Sequence, residues 1–423
     1  MNVWKLGCRW GSGKPLFYNF LVARQVVVGW HGKKYKIGDW ILLTDGHTVL
    51  AFAKILANPK PIIDYVLFEE DCRKSELPFN EDIDIYKAEI TPLNECDRFL
   101  YQTQQGIIKI WNEDVLNKLE TIKLKYMRKK EIRTLLESNK NMILHGAPGT
   151  GKTYLARHIY DGRAEYVIGF VQFHPSYDYT DFVEGLRPKE KDDQIGFERI
   201  DGVFKAFCKE AKNHPDTIYV FIIDEINRGD MSKIFGELFF SIDPGYRGEK
   251  GQIYTQYQNL VKDDDVFKKG FYVPDNVYII GTMNDIDRSV ESMDFAMRRR
   301  FAFMEITAQE SQSMLTLEAF NDVSAKNADK AYTEVEDIKG KMNALNAEIT
   351  STAIGLSSDY QIGAAYFLKY ALYADQEKEQ AFNSLWNNHL KSILTEYLRG
   401  TGEESSKMER LKAAYDNGKA QNN

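Results

Sequence analysis

The run Gly146-Ala147-Pro148-Gly149-Thr150-Gly151-Lys152-Thr153 satisfies G-x-x-x-x-G-K-[ST] and stands between the apolar, strand-like segment 141–144 and the helical stretch 154–160. Strand, glycine-rich turn and helix in that order restrict the chain to folds that wrap a triphosphate at the end of a sheet strand. The glycines let backbone N–H groups face the phosphates, and the helix that follows presents its positive end. Lys152 then reaches the β and γ phosphates, and the Thr153 hydroxyl is placed to bind Mg2+. Gly146, Ala147, Pro148, Gly149, Thr150, Gly151, Lys152, Thr153 and Tyr154 are the expected nucleotide-binding residues. A second run, Gly11-Ser12-Gly13-Lys14, has Cys8 where the first glycine belongs and Pro15 after the lysine, so it reads as an ordinary loop.

The surroundings fit such a core. Short apolar runs at 166–173, 218–223, 277–282 and 301–306 alternate with helical patterns, which implies an α/β fold: a parallel sheet covered by helices on both faces, over residues 141–306. After residue 306 the strand signals stop. Residues 307–400 read as a helical unit and 401–423 as a polar tail whose last residues fray. Within 111–140 the positions Val115, Leu116, Leu119, Ile122 and Tyr126 share one helical face, which makes this segment a linker helix. Residues 1–110 read as a small β-rich domain with a hairpin signal at Asp45-Gly46. The 423 residues accommodate this division, and 43% hydrophobic with 28% charged residues excludes a disordered or fibrous chain.

Cys8, Cys72, Cys96 and Cys208 are scattered, with no metal-ligand spacing, and read as buried thiols. No apolar run approaches a membrane span, and the start of the chain lacks a signal-peptide pattern, so a cytoplasmic location is expected. The net charge of -7 argues against a uniformly basic nucleic-acid coat. It hides an asymmetry: through Lys60 there are nine basic residues against two acids, and over 61–100 eleven acids against four basic residues.

Two more strand ends carry chemistry. Tyr219-Val220-Phe221-Ile222-Ile223-Asp224-Glu225 has the pattern of a buried strand ending in two carboxylates that alternation points apart. Asp224 is expected to complete the Mg2+ shell with Thr153, and Glu225 to orient or deprotonate the attacking water. The strand 277–282 delivers Met283-Asn284-Asp285-Ile286-Asp287-Arg288-Ser289, where Asn284 is in place for the γ phosphate or the water. Arg298-Arg299-Arg300 follows, and one guanidinium of the three reaching a neighbouring subunit's nucleotide would stabilise transition-state charge; Arg299 is the first choice, and Arg300 is also a candidate catalytic residue. The bland readings are solvated acids at a strand end and a solvated basic patch.

Taken together these residues resemble the AAA+ superfamily and, more narrowly, its McrB-type motors of modification-dependent restriction, in the dynein-related and MoxR-like branch. The resemblance rests on 146–153, on Val171 to Tyr177 with Asp181 to Pro188, on Phe221 to Arg228, Ser232 to Leu238, Met283 to Ser289 and Arg298 to Phe301, and extends through Ile362-Gly363-Ala364-Ala365-Tyr366-Phe367 into a helical lid. It implies a hexameric ring with nucleotide between subunits, GTP as fuel above ATP, DNA translocation, and an McrC-like partner that carries the nuclease. Where the family signature runs Met-Asn-Thr-Ala-Asp-Arg-Ser, this chain has Asp285 and Ile286; Asn284 and Asp287 keep the catalytic positions.

The amino-terminal segment, with Trp4, Trp10, Trp30 and Trp40 and basic residues between aromatics, distantly resembles the EVE and PUA group of small β-barrels, which implies a reader of a modified base in nucleic acid. The alternative is that these tryptophans are core. Two other functions remain open: an ATP-driven protein remodeller of the MoxR or dynein-related kind, and a scaffold in which nucleotide only holds a ring around nucleic acid. The aromatic run 177–182 suits either a central channel or packing under the sheet, and Asp263-Asp264-Asp265 with Lys268-Lys269 reads as a solvated loop.

Overall fold

The computed structural model describes residues 2–9, 14–32, 35–102, 106–161, 165–191, 194–286 and 295–419. Trp10, Gly11 to Gly13, Asp287, Arg288 and Ser289 lie outside them. The chain divides into two compact units, 1–128 and 129–423. The division falls within the helix Glu113–Asn139, whose first half packs Leu119 and Ile122 against Trp40, Phe52 and Phe99 of the first unit. Its last turns pack Ile132 and Leu136 against the second unit's sheet. Among the described residues no helix is long and apolar enough to cross a membrane.

The first unit is an eight-stranded sheet of β1 (Val3–Gly7), β2 (Val26–Trp30), β3 (Trp40–Asp45), β4 (Thr48–Ile55), β5 (Lys60–Pro61), β6 (Ile83–Pro92), β7 (Phe99–Leu100) and β8 (Ile107–Lys109). The path runs β2-β6-β4-β3-β1-β8, with β5 beside β6 and β7 beside β4; every pairing is antiparallel except β1 with β3. Asp45 pairs with Thr48 across a tight turn in which Gly46 has φ +58°, as the Asp-Gly signal requires. The tryptophans divide: Trp40 is buried, Trp4 is half-buried with its indole N–H on Asp39 Oδ2 at 3.0 Å, and Trp30 is exposed. Cys8, Cys72 and Cys208 are buried free thiols.

The second unit is built on five parallel strands: β9 (Asn141–His145), β10 (Tyr166–Gln172), β13 (Ile218–Asp224), β14 (Val277–Thr282) and β15 (Ala302–Glu305), ordered β10-β13-β14-β9-β15. Alternation sorts their side chains into two cores. Met142, Leu144, Val220, Ile222 and Ile280 join the cluster with Ile132 and Leu136. Ile143, Tyr219, Phe221, Ile223 and Ile279 meet the aromatic cluster on the opposite face. There Phe182 is fully buried and stacks on Phe204 at 4.9 Å, which assigns at least this part of the 177–182 run to packing under the sheet.

A two-stranded hairpin, β11 (Glu184–Lys191) with β12 (Gln194–Asp201), stands apart from the main sheet. Its base is held by buried charge: Glu184 Oε2 accepts from Lys205 at 2.7 Å and from Arg199 at 2.8 Å, and Lys209 bridges Asp201 and Asp265. Asp265 is thereby nearly buried, so this part of the 263–269 segment is not the solvated loop its charge run suggests. Partnering is what lets the chain bury these ions at all.

Helices from 308 to 417 form the remaining core around Val335–Ile349. Within the expected polar tail at 401–423 the chain is helical over Glu404–Asn417, with Leu411 and Tyr415 fully buried and the Tyr415 hydroxyl donating to Phe382 O at 3.0 Å. Met408, Leu411 and Tyr415 fall on one helical face, a stripe that the polar average conceals.

Candidate nucleotide-hydrolysis site

β9, β14 and β13 are neighbours in the sheet, so the segments leaving their carboxyl ends converge where α/β sheets take ligands. From β9 comes the loop 146–151, with Gly151 capping the helix Lys152–Arg157. The Lys152 ammonium is buried within the loop, donating to the carbonyls of Gly146 at 3.0 Å and Ala147 at 2.7 Å and to Thr150 Oγ1 at 3.3 Å. Tyr154 projects outward, half exposed, and stacks on His158 with centroids 4.1 Å apart.

Asp224 ends β13, and its Oδ1 accepts from Thr153 Oγ1 at 2.6 Å. Two hard oxygens side by side are the donor pair Mg2+ takes. The Thr282 hydroxyl, at the end of β14, donates to the same oxygen at 2.6 Å and accepts the Glu225 backbone N–H at 3.4 Å. Glu225 follows in the left-handed region, φ +52°. Asn284 Nδ2 donates to Glu225 Oε1 at 3.1 Å, and Arg228 Nε lies 3.3 Å from Oε2. The glycine-rich loop, the Thr153–Asp224 oxygen pair and a held carboxylate thus occupy one end of the sheet, an arrangement that suits triphosphate hydrolysis.

The expected arginines separate. Arg298 and Arg299 are exposed and line a cavity of about 750 Å³ with His145, Met283, Asp285, Phe295, Phe303 and Asp359. Arg300, expected as a second candidate to reach a neighbouring subunit, is 9% exposed instead: its Nε lies 3.8 Å from Asp243 Oδ2, Nη1 donates to Ala296 O, and the guanidinium covers Phe239. Its main-chain carbonyl accepts from Asn141 Nδ2 at 2.9 Å. Arg300 anchors the segment that presents Arg299. Asp287 lies outside the described residues.

Three further residues belong to the site although the sequence assigns them no role there, Gly363 entering only within the run 362–367. Thr282 is one. The others are Ser311 and Gly363, through which the helical part closes on the phosphate loop: Gly363 N–H donates to Pro148 O at 2.9 Å, Ala365 N–H to Gly149 O at 3.0 Å, and Ala364 N–H to Ser311 Oγ at 2.9 Å. Gly149 has φ +76°, and a Cβ on Gly363 would collide with its carbonyl carbon and oxygen. Gly363→Val is therefore expected to push the helical part off the loop and weaken triphosphate affinity about tenfold, read by titrating a fluorescent nucleotide; such overpacking costs ~1–3 kcal/mol. Unchanged affinity would mean that the loop tolerates displacement.

Residues 141–301 match the AAA domain (dynein-related subfamily), and residues 337–406 match the McrB alpha-helical lid domain. The chain is 38% identical over 292 residues to the type IV methyl-directed restriction enzyme EcoKMcrB subunit of Escherichia coli (strain K12), an alignment covering 67% of this chain and 59% of that protein. The chain belongs to the McrB-type AAA+ NTPases. A second relative, the type II restriction enzyme BsuMI component YdiS of Bacillus subtilis (strain 168), is 29% identical over 192 residues, 39% of this chain and 56% of that protein. This McrB-type chain thus spans somewhat over half the length of the curated relatives it matches. Its family match places the helical lid where the Gly363 contacts reach the phosphate loop.

Proposed function

We propose that this chain binds GTP with Mg2+, in preference to ATP, and hydrolyses it with Glu225 as the base. The single observation that carries hydrolysis is the chain of hydrogen bonds from Thr153 through Asp224 and Thr282 to Glu225 and Asn284, which ties the metal-binding pair to a held carboxylate. Lys152 holds the β and γ phosphates, and Thr153 and Asp224 would hold the Mg2+ that would supply neutralisation of their charge. Glu225 takes the proton of the attacking water, Asn284 fixes that water against the γ phosphate, and Arg299 acts on the nucleotide of the next subunit in a hexameric ring. Asp287 belongs to the same proposed catalytic set. Preference for GTP rests on the family resemblance.

In this reading the ring drives translocation along modified DNA for an McrC-like partner that makes the cut, and the first unit reads the modified base. The 38% identity to a subunit described as methyl-directed supports this. The test is phosphate release from GTP and from ATP, with the chain alone, with methylated and unmethylated duplex, and with the partner. Expected are a GTP kcat/KM at least about tenfold above that for ATP and stimulation by the partner with methylated duplex. Faster turnover of ATP, or equal response to both duplexes, overturns the corresponding part; release from neither nucleotide overturns the whole.

A further inference from the structure

Beside the phosphate loop a second pair of side chains is joined that the chemistry above does not use. His145, the residue before Gly146, brings Nδ1 to 2.9 Å from Oδ2 of Asp285, the residue after Asn284. The two side chains are only 25% and 18% exposed. Main-chain bonds run the same way: Met283 N–H donates to Leu144 O at 3.1 Å and Asp285 N–H to Gly146 O at 3.4 Å. From its other side His145 is fixed by β15, its carbonyl accepting Ile306 N–H at 2.8 Å and its ring meeting Phe303 edge-on at 6.0 Å. The imidazole is a fixed post, and Asp285 is tied to it.

What Asp285 carries with it is the turn that presents Asn284, whose amide holds Glu225 Oε1 at 3.1 Å. Displacing that turn displaces the amide from the carboxylate. We propose that His145 and Asp285 are positioning residues for the hydrolytic step, their hydrogen bond setting Asn284 against Glu225. The proposal deepens the assignment of Glu225 as base and rests on it.

Misplacing a reacting group by about 1 Å can cost on the order of a hundredfold in rate, and a group acting through one intermediary should cost about tenfold. The experiment measures kcat and KM for the preferred triphosphate, and equilibrium affinity for its fluorescent non-hydrolysable analogue, in the full chain and in Asp285→Ala, His145→Ala, the double variant and Asp285→Asn. Expected is a kcat about tenfold lower in each alanine variant, no further loss in the double variant, and analogue affinity within about twofold of wild type. Asp285→Asn keeps the hydrogen bond without the charge and should recover most of the rate. That outcome separates the bond from any effect of the Asp285 charge on Arg298 and Arg299 across the cavity. Should Asp285→Ala not fold, Asp285→Thr, too short to reach the imidazole, carries the same expectation. Wild-type kcat in Asp285→Ala, multiplicative losses in the double variant, or an affinity loss as large as the rate loss overturns the proposal. If Glu225→Gln is inactive and Asp285→Ala is normal, only the positioning role fails; if Glu225→Gln turns over normally, the base assignment fails first.

Discussion

Glu225→Gln is expected to bind triphosphate as the wild type does and to release phosphate about a thousandfold more slowly, within the range that general-base catalysis contributes. The two halves of that expectation come from different parts of the site. In the proposed reading binding rests on the loop backbone, Lys152 and the Thr153–Asp224 pair, whereas the Glu225 carboxylate is held by Asn284 and lies beside Arg228. Turnover needs an oxygen that can take a proton, and the amide has none to offer. Gln also keeps the side-chain length, and its carbonyl oxygen can still accept from Asn284, so the turn after β14 stays where it is. The rate is read by single-turnover phosphate release and the affinity by analogue titration. Turnover equal to wild type would place the base elsewhere; a parallel loss of affinity would mean that Glu225 contributes to binding rather than to the chemical step.

The parts of this site that were legible in the sequence are those whose residues lie close together along the chain. The phosphate loop is eight consecutive residues between a strand and a helix, and Asp224-Glu225 sits at the end of an uninterrupted apolar run. Contacts made at long sequence separation leave no such trace. Thr282 reaches Asp224 across 58 positions, and Ala364 reaches Ser311 across 53; threonine, serine and glycine at these places look like any other polar or small residue. Averages misled in two places. The tail after Gly400 is polar as a whole, but three of its residues form a stripe that seats a helix on the lid, and Asp265 reads as part of a solvated charge run until Arg199 and Lys209 are brought to it by the fold. Asp285, seen in sequence only as a departure from a signature, acquires a partner once β9 and β14 are paired in register.

Arg299→Ala is expected to lower turnover by about a thousandfold or more in the assembled protein while leaving nucleotide affinity of the isolated subunit unchanged, since an arginine supplied across a boundary contributes ~10³ to 10⁵ in rate. The geometry of the cluster is what singles it out. Asn141 holds the Arg300 carbonyl and, through its other donor contact, the Ile242 carbonyl at 2.7 Å; Arg247, fully buried with its guanidinium pulled down to about 10 by desolvation, grips the Asn141 side chain. Arg300 itself is spent on Asp243, Ala296 and Phe239. Arg298, also exposed, lies over Phe303 with 5.3 Å between guanidinium carbon and ring centroid, which leaves Arg299 as the exposed guanidinium of the three that is not seated on a ring among the described residues. A purely structural role for Arg299 would give the same loss of activity, so the deciding measurement is a mixture. Arg299→Ala and Glu225→Gln are each inactive alone, but in a head-to-tail ring an Arg299→Ala subunit offers an intact Glu225 to a neighbour whose Arg299 is intact. Random mixing at equal amounts restores both groups at about a quarter of the interfaces, so phosphate release should rise well above either variant. If the mixture stays as inactive as its components while both still assemble, the arginine does not act across the boundary.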